Sequence, residues 1–96
     1  MNKYKINILF AVNNEQQKKL IIKRVLQDFK GYSIAEQLGG WSDVNGNIIE
    51  ETSYKLTLID EHLRGVTISK ICKFIKEVAN QDEVWTYTDK IKLKII

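Results

Sequence analysis

Cys72 and His62 are the side chains whose types are most often used for nucleophilic catalysis or transition-metal binding. The chain has one cysteine and one histidine, too few for a metal-ligand cluster of these residues. Cys72 falls within an apolar pattern of helical spacing, whereas reactive thiols lie partly exposed beside cations. We therefore expect no catalytic residue, no metal and no cofactor, and hence a non-enzyme.

The charged segment from Asp60 to Gly65 is the first candidate binding site. It joins a predicted strand to a predicted helix and places Arg64 near the N-terminus of that helix. Free backbone N–H groups and a cation at such a position can hold a phosphate or a carboxylate. A solvated loop that only keeps the protein soluble explains the same residues equally well. His62 and Arg64 are the candidate ligand-binding residues here, and His62 has no assigned role as a base.

A long hairpin between Leu38 and Ser53 is the second candidate site, with its turn at Asn45-Gly46. Asn-Gly favours a type I′ turn, in which both central residues have positive φ. Trp41 could cover a sheet edge, pack in a subunit interface or stack on a ligand ring. Gly39-Gly40 is not followed by a helix, so it favours a bulge or a close backbone approach over a dinucleotide site. The candidate ligand-binding residues of the hairpin are Gly40, Trp41, Ser42, Glu50 and Ser53.

Composition and charge are those of an ordinary soluble domain. The 96 residues are 44% apolar and 28% charged, and the net charge of +3 is well below that of a dedicated nucleic-acid binder. No apolar run approaches the roughly 20 residues needed to cross a bilayer, and no leader opens the chain. We expect one cytoplasmic domain over residues 1–96 with no membrane segment.

Hydrophobic periodicity predicts six elements. Asn14 and Gln17 form a capping box that begins the first helix, Gly31 closes that helix, and Thr67 caps the second helix, which ends near Asn80. The predicted strands are Tyr4–Val12, Tyr32–Trp41, Ile48–Asp60 and Glu83–Ile96. This βαββαβ order predicts an α+β fold of the ferredoxin-like split-βαβ type. Its four-stranded antiparallel sheet carries two helices on one face, the first and third strands are central, and the hairpin arms project.

A lysine-rich face is predicted on the side of the sheet away from the helices, formed by Lys3, Lys5, Lys55, Lys90, Lys92 and Lys94. RNA-recognition domains of this topology stack bases on aromatic side chains of the central strands. The corresponding positions here are Lys5, Asn7, Lys55 and Thr57. Binding of nucleic acid by this face would therefore depend on charge alone.

Several short motifs resemble those of uncharacterised small proteins common in bacteriophages and mobile elements. They are Gly40-Trp41, the Asp/Asn/Gly turn, Ile49-Glu50-Glu51-Thr52-Ser53, Leu56-Thr57-Leu58-Ile59, and Asn80-Gln81 followed by Val84. The element order is also similar to that of PII-type signal proteins and CutA-like proteins, which assemble as trimers and bind ligands between subunits. That similarity implies a ligand among the hairpin, the loop at His62–Arg64 and a neighbouring chain.

Three functional hypotheses follow. The leading hypothesis is a phage-encoded, non-enzymatic homo-oligomer in the host cytoplasm that sequesters a small anionic, nucleotide-type signal of an antiviral defence system. The alternative is an interaction module that inhibits a host protein through the hairpin or the basic sheet face. A third hypothesis is nonspecific nucleic-acid binding through the lysine-rich face.

Overall fold

Alternating apolar residues make β1 and β3 the central strands of one antiparallel sheet. The computed structural model describes residues 2–94 and 96. Its elements are β1 (Asn2–Phe10), α1 (Glu15–Val25), β2 (Ser33–Ser42), β3 (Ile48–Asp60), α2 (Gly65–Ala79) and β4 (Trp85–Lys92). The strand order is β2-β3-β1-β4, so the predicted ferredoxin-like βαββαβ fold is confirmed. The predicted strand position at Ile95 lies outside the described residues.

The core lies between the sheet and the two helices. Ile6, Ile8 and Phe10 of β1 are in register with Leu58, Leu56 and Tyr54 of β3. Because paired residues project to the same face, these side chains form one apolar surface against the helices. The helices cover it with a buried stripe that includes Ile21, Val25, Ile68, Ile71 and Ile75. Burial of each such side chain contributes about 1.5–3 kcal/mol.

Helix α1 begins as predicted and ends earlier than predicted. Asn14 Oδ1 accepts a hydrogen bond of 2.9 Å from Gln17 N, which satisfies one free donor of the first turn. The helix ends at Val25 rather than near Gly31, so the predicted closing glycine is wrong. Tight turns follow, in which Phe29 N donates to Val25 O at 3.0 Å. Phe29 is buried and continues the apolar stripe beyond the helix. The apolar pattern of the sequence therefore predicts a longer helix than the one that forms.

Helix α2 begins without a side-chain cap. Its first residue is Gly65, and Arg64 precedes it in the left-handed conformation with φ 53° and ψ 42°. Thr67 lies inside the helix, so the predicted cap at Thr67 is wrong. The Arg64 guanidinium donates to Asp60 Oδ2 at 3.2 Å and to Asp28 O at 2.9 Å. These two hydrogen bonds fix the position of the chain at the start of α2.

The hairpin formed by β2 and β3 extends beyond the rest of the sheet. Pairing of β1 with β3 ends at Phe10 and Tyr54, whereas pairing of β2 with β3 continues to Ser42 and Ile48. The molecule is accordingly elongated, with extents of 49 × 24 × 23 Å. The arms from Leu38 to Ser42 and from Ile48 to Thr52 pair only with each other among the described strands.

The turn of this hairpin differs from the predicted type I′ turn. Gly46 has a φ of 80°, but Asn45 is not among the residues with positive φ. Asp43 organises the loop instead, because its Oδ1 accepts from Asn45 N and Asn47 N, both at 2.9 Å. Gly46 N also donates to Asp43 O at 3.1 Å. A type I turn followed by a left-handed glycine explains this pattern.

The face assignment of β4 is the largest correction to the predicted surface. The register pairs Trp85 with Leu9, Tyr87 with Asn7, and Lys90 with Tyr4. Lys90 and Lys92 therefore lie on the helix side, and Lys94 follows the end of the strand. Lys3, Lys5 and Lys55 remain on the face opposite the helices, here called the open face. The open face thus carries fewer lysines than predicted, and it gains the aromatic side chains of β4.

Candidate functional site

A wide groove at one end of the open face contains both tryptophans of the chain. It has a volume of about 770 Å³. Its lining comes from the end of β1, the two hairpin arms, the start of β4 and the loop before β4. We call it the tryptophan groove, and it is lined by Leu9, Phe10, Ala11, Trp41, Glu51, Ser53, Gln81, Asp82, Glu83 and Trp85.

Strand register brings the side chains of this groove to the same face. Trp85 pairs with Leu9 across β4 and β1, and Trp41 pairs with Ile49 across the hairpin. Glu51 lies two residues from Ile49 on β3 and therefore projects to the same side. Trp41 is 56% exposed and Trp85 is 66% exposed. Two large aromatic surfaces are therefore available for contact along one groove.

Trp85 is oriented by its neighbour Glu83. The indole Nε1 donates a hydrogen bond of 3.1 Å to Glu83 Oε2. This bond satisfies the one polar atom of the indole and leaves the ring face free for stacking. It also holds a carboxylate at the edge of the ring.

The presence of glycine at position 40 has a structural explanation that does not involve a ligand. A Cβ atom at this position would lie 2.9 Å from Ile49 O, which is too close for real Cβ atoms. The backbones of the two arms therefore approach closely beside Trp41. A Cβ atom at Gly39 would meet nothing within 4 Å, so the two adjacent glycines differ in what they permit.

The charge of the tryptophan groove is opposite to that of the whole chain. Its lining includes the carboxylates of Glu51, Asp82 and Glu83 and contains no lysine or arginine. The ion pairs found among the described residues involve none of these three carboxylates. The groove is therefore acidic in a chain whose net charge is +3.

A second cleft, here called the arginine cleft, has a volume of about 380 Å³. It contains the two candidate residues of the loop before α2, His62 and Arg64. The other lining residues are Lys3, Asp28, Phe29, Lys30, Gly31, Ile59, Asp60 and Glu61. The cleft lies where the loop after α1 meets the end of β3.

Most charged groups of the arginine cleft already have partners. Lys3 Nζ lies 3.6 Å from Glu61 Oε1. Arg64 is bonded to Asp60 and Asp28 as described above, and its guanidinium carbon lies 4.8 Å from the centre of the Phe29 ring. Arg64 therefore links the loop before α2 to the loop after α1. An anion bound by this side chain would have to displace these contacts.

Asp60 is held in its charged form by the same contacts. Burial alone would raise the pKa of Asp60, but the hydrogen bond from His62 N and the bond and charge of Arg64 outweigh it. The pKa of Asp60 is consequently lowered from its usual value of 3.8. The hydrogen bond from His62 N is 2.9 Å long.

The predicted site residues fall into two groups that do not meet within one chain. Trp41 and Ser53 line the tryptophan groove, and His62 and Arg64 line the arginine cleft. Asp60 pairs with Tyr4, and Trp85 pairs with Leu9. The five residue steps from Tyr4 to Leu9 along β1 separate the two sites by roughly 17 Å.

The remaining predicted residues of the hairpin project away from the groove. Gly40 pairs with Glu50, and Ser42 pairs with Ile48, in rows that alternate with those of Trp41 and Glu51. Sequence reasoning did not select four of the polar or aromatic groove residues, which are Glu51, Asp82, Glu83 and Trp85. The alternation of aromatic residues in β4 is visible in the sequence, but the predicted lysine-rich face of this strand would turn those residues toward the helices.

Neither an activated Cys72 thiol nor a metal-ligand cluster is found among the described residues. Burial raises the pKa of the half-buried Cys72 thiol and keeps it protonated. Within residues 2–94 and 96, no three His, Cys, Asp or Glu side chains are grouped closely enough to hold a metal ion. Over the same residues, neither helix has the length and apolar character needed to span a membrane.

Comparison with known proteins identifies the fold and not a sequence family. No protein-family model matches the chain, and no curated protein matches it in sequence. A phage SAM lyase in complex with S-methyl-5′-thioadenosine shares the fold with 17% identity and a TM-score of 0.68, over 92% of this chain and 81% of that chain. CPII from Thiomonas intermedia is a nitrogen regulatory PII-like protein, solved with ADP, AMP and bicarbonate. It is 10% identical with a TM-score of 0.63, over 100% of this chain and 97% of its own.

CutA from Archaeoglobus fulgidus also shares the fold. It is 14% identical with a TM-score of 0.64, over 99% of this chain and 88% of its own. The predicted fold-level similarity to PII-type and CutA proteins is therefore confirmed. These identities are too low to assign a ligand or an activity to this chain.

Proposed function

We propose that this chain is a non-enzymatic binding protein that sequesters a small molecule containing an adenosine group. The observation that carries the proposal is the position of Trp41 and Trp85, which are both exposed and line one groove. Stacking of a base on an aromatic side chain contributes about 1–3 kcal/mol and does not require a particular sequence of bases. Binding alone lowers the free concentration of the ligand when the protein is abundant.

The polar groups of the groove suit a nucleoside. Ser53 and Gln81 can donate and accept hydrogen bonds, and the carboxylate of Glu51 can accept them. Ribose hydroxyls and the exocyclic amine of adenine require such partners. Two proteins of the same fold were solved with adenosine-containing ligands, which supports this choice of ligand.

The active form in this proposal is a homo-oligomer. The groove is wide and lies at one end of the open face, and Tyr87 and Ile59 are exposed farther along the same face. A second copy packed against this face would cover these apolar side chains and narrow the groove.

A binding experiment tests the proposal. Purified protein is titrated calorimetrically with adenosine, AMP, ATP and S-methyl-5′-thioadenosine, and the ligand is then recovered and identified by mass spectrometry. We expect at least one ligand to bind and to be recovered unchanged, and Trp41→Leu to weaken its binding at least about tenfold. Leu38→Ala is the matched control, because Leu38 is exposed on the opposite face of the same arm. Absence of binding by all four ligands would refute the proposal.

An enzyme is the second candidate function, and one observation favours it. Three carboxylates lie beside the two indoles of the groove, and one protein of the same fold is a phage SAM lyase. The test is incubation with S-adenosylmethionine, followed by chromatography for S-methyl-5′-thioadenosine. Release of this compound by the wild type but not by Glu51→Gln would replace the non-enzymatic proposal.

The phage source, the antiviral nature of the signal and the two other hypotheses remain predictions. Inhibition of a host protein would be favoured if no nucleotide is retained while one defined host protein co-purifies in a fixed ratio. Nonspecific nucleic-acid binding would show a steep loss of affinity with salt and no response to Trp41→Leu. The open face retains Lys3, Lys5 and Lys55 for such binding.

A further inference from the structure

We infer that the tryptophan groove selects a nucleoside whose 5′ substituent carries a positive charge and that it rejects 5′-phosphates. This inference rests on the proposed function and adds the charge of the ligand. It reverses the expectation of an anionic ligand, which came from the overall charge of the chain and from Arg64.

The first reason is the local charge. Glu51, Asp82 and Glu83 line the groove, and the lining includes no basic side chain. These carboxylates take no part in the ion pairs of the described residues, so they lack a cationic partner there. A cation in the groove would be attracted by all three, and a phosphate would be repelled by all three.

The second reason is the arrangement of the indoles. The face of a tryptophan ring is electron-rich and is the best aromatic partner for a cation. Trp85 donates its N–H to Glu83 at 3.1 Å, so a carboxylate lies at the edge of the ring while the ring face stays accessible. Trp41 supplies a second exposed ring in the same groove. Cation-binding sites formed by aromatic side chains combine these same features.

The third reason is the position of the nearest basic groups. Lys55 pairs with Leu9 on the open face, so its side chain lies beside the groove although it is not part of the lining. Lys3, Lys30 and Arg64 belong to the arginine cleft near the other end of β1. A phosphate seated in the groove of one chain would therefore meet three carboxylates and a single neighbouring lysine, so the net local charge disfavours it.

A matched pair of ligands isolates the charge. S-methyl-5′-thioadenosine is a neutral thioether, and its S-methylated form, 5′-deoxy-5′-(dimethylsulfonio)adenosine, differs by one methyl group and one positive charge. Competition calorimetry is performed with both compounds and with AMP. We expect the sulfonium compound to bind about tenfold tighter than the thioether, and AMP about tenfold weaker, as for unit charges near carboxylates at a protein surface. Raising the NaCl concentration from about 50 to about 300 mM should reduce both ratios.

Variants assign the preference to the groove. Glu51→Gln should reduce the ratio between sulfonium and thioether to about threefold, and Asp82→Asn should act in the same direction. Glu77→Gln removes the same charge from an exposed position on α2 and should leave the ratio unchanged. Thermal unfolding of each variant shows that it is folded.

The outcomes separate the two proposals. Binding of AMP as tight as, or tighter than, that of the sulfonium compound would overturn the charge inference and leave the proposed function standing. A sulfonium preference that persists in both carboxylate variants would also overturn it. Absence of binding by all three ligands, and by adenosine and ATP as well, would refute the proposed function together with the inference.

Discussion

Asn7 and Thr57 face each other across the two central strands, and the Thr57 hydroxyl donates a hydrogen bond of 3.0 Å to Asn7 Oδ1. Asn7 is fully buried, although it projects toward the open face. Its Nδ2 has no hydrogen-bond partner among the described residues. A buried donor without an acceptor is destabilising by about 1–3 kcal/mol. The middle of the open face therefore carries an unfavourable group that an apolar residue would remove.

We predict that Asn7→Val increases the free energy of unfolding of the isolated chain by about 1 kcal/mol. The substitution removes the unsatisfied donor and introduces a residue that favours strands. Thr57 is only partly buried, so its hydroxyl can bond to water instead. Urea unfolding at protein concentrations low enough for monomer is the measurement. Thr57→Val serves as the control for the other half of the hydrogen bond, and a decrease of about 1 kcal/mol or more in Asn7→Val would show that Nδ2 has an acceptor.

The two adjacent glycines of β2 should respond differently to alanine. In Gly40→Ala the new methyl group would lie 2.9 Å from Ile49 O. Neither atom can move away without a shift of the backbone. We expect a loss of about 1–3 kcal/mol of unfolding free energy and weaker ligand binding, because Trp41 is the next residue. Gly39→Ala meets no atom within 4 Å and should be tolerated. Equal losses in urea unfolding and calorimetry for the two variants would contradict the close approach of the arms.

The fold could be predicted because β1 and β3 are covered by the helices. In these strands, apolar side chains such as Ile6, Ile8 and Leu56 alternate with polar ones, and the apolar face is the core face. The same rule fails for β4, an edge strand whose helix-side residues Thr86 and Thr88 stay exposed. When neither face is fully covered, alternation shows that two faces exist but not which of them faces the helices. Only the register with β1 decides this.

Only part of the candidate site could be predicted from the sequence, because its residues lie on strands that the core does not cover. Trp41 and Ser53 were selected because they lie on a hairpin that is too long for the core. Trp85 is absent from the predicted site because the lysine-rich face predicted for β4 would turn it toward the helices, and Glu51 is absent because a single carboxylate carries no signal until its neighbours are known. Arg64 was selected for its charge, but the sequence could not show that Asp60 and Asp28 already hold it.

The lowered pKa of Asp60 predicts a dependence of stability on pH. A carboxyl group whose pKa is lower in the folded than in the unfolded chain stabilises the fold above the unfolded pKa. That contribution is lost as the pH falls through the folded pKa, below the usual value of 3.8. We expect Asp60→Asn to be less stable than the wild type at about pH 7, by about 1 kcal/mol. The difference should shrink as the pH falls below about 4.

Urea unfolding at a series of pH values measures this difference. Glu77→Gln, on an exposed part of α2, is the control for loss of one carboxylate. A constant difference between Asp60→Asn and the wild type from neutral to acidic pH would contradict the role of the charged form.

Intrinsic fluorescence should report directly on the groove, because both tryptophans of the chain line it. A purine stacked on an indole quenches its emission, so a bound adenosine ligand should reduce the fluorescence of the wild type. Trp41→Phe leaves only Trp85 as emitter, and Trp85→Phe leaves only Trp41. If both rings contact the ligand, each single-tryptophan variant should still be quenched, with a weaker affinity than the wild type. Calorimetry of the same variants measures that affinity independently of the optical signal.

The distribution of quenching between the variants locates the purine. Quenching seen only in Trp41→Phe would place the base against Trp85, beside Glu83. Quenching seen only in Trp85→Phe would place the base on the hairpin arm beside Glu51. Saturable binding with unchanged emission from both variants would mean that the ligand lies elsewhere, and the tryptophan groove would then no longer be the candidate site. Saturation of the calorimetric signal over the same range of ligand concentration distinguishes this outcome from weak binding.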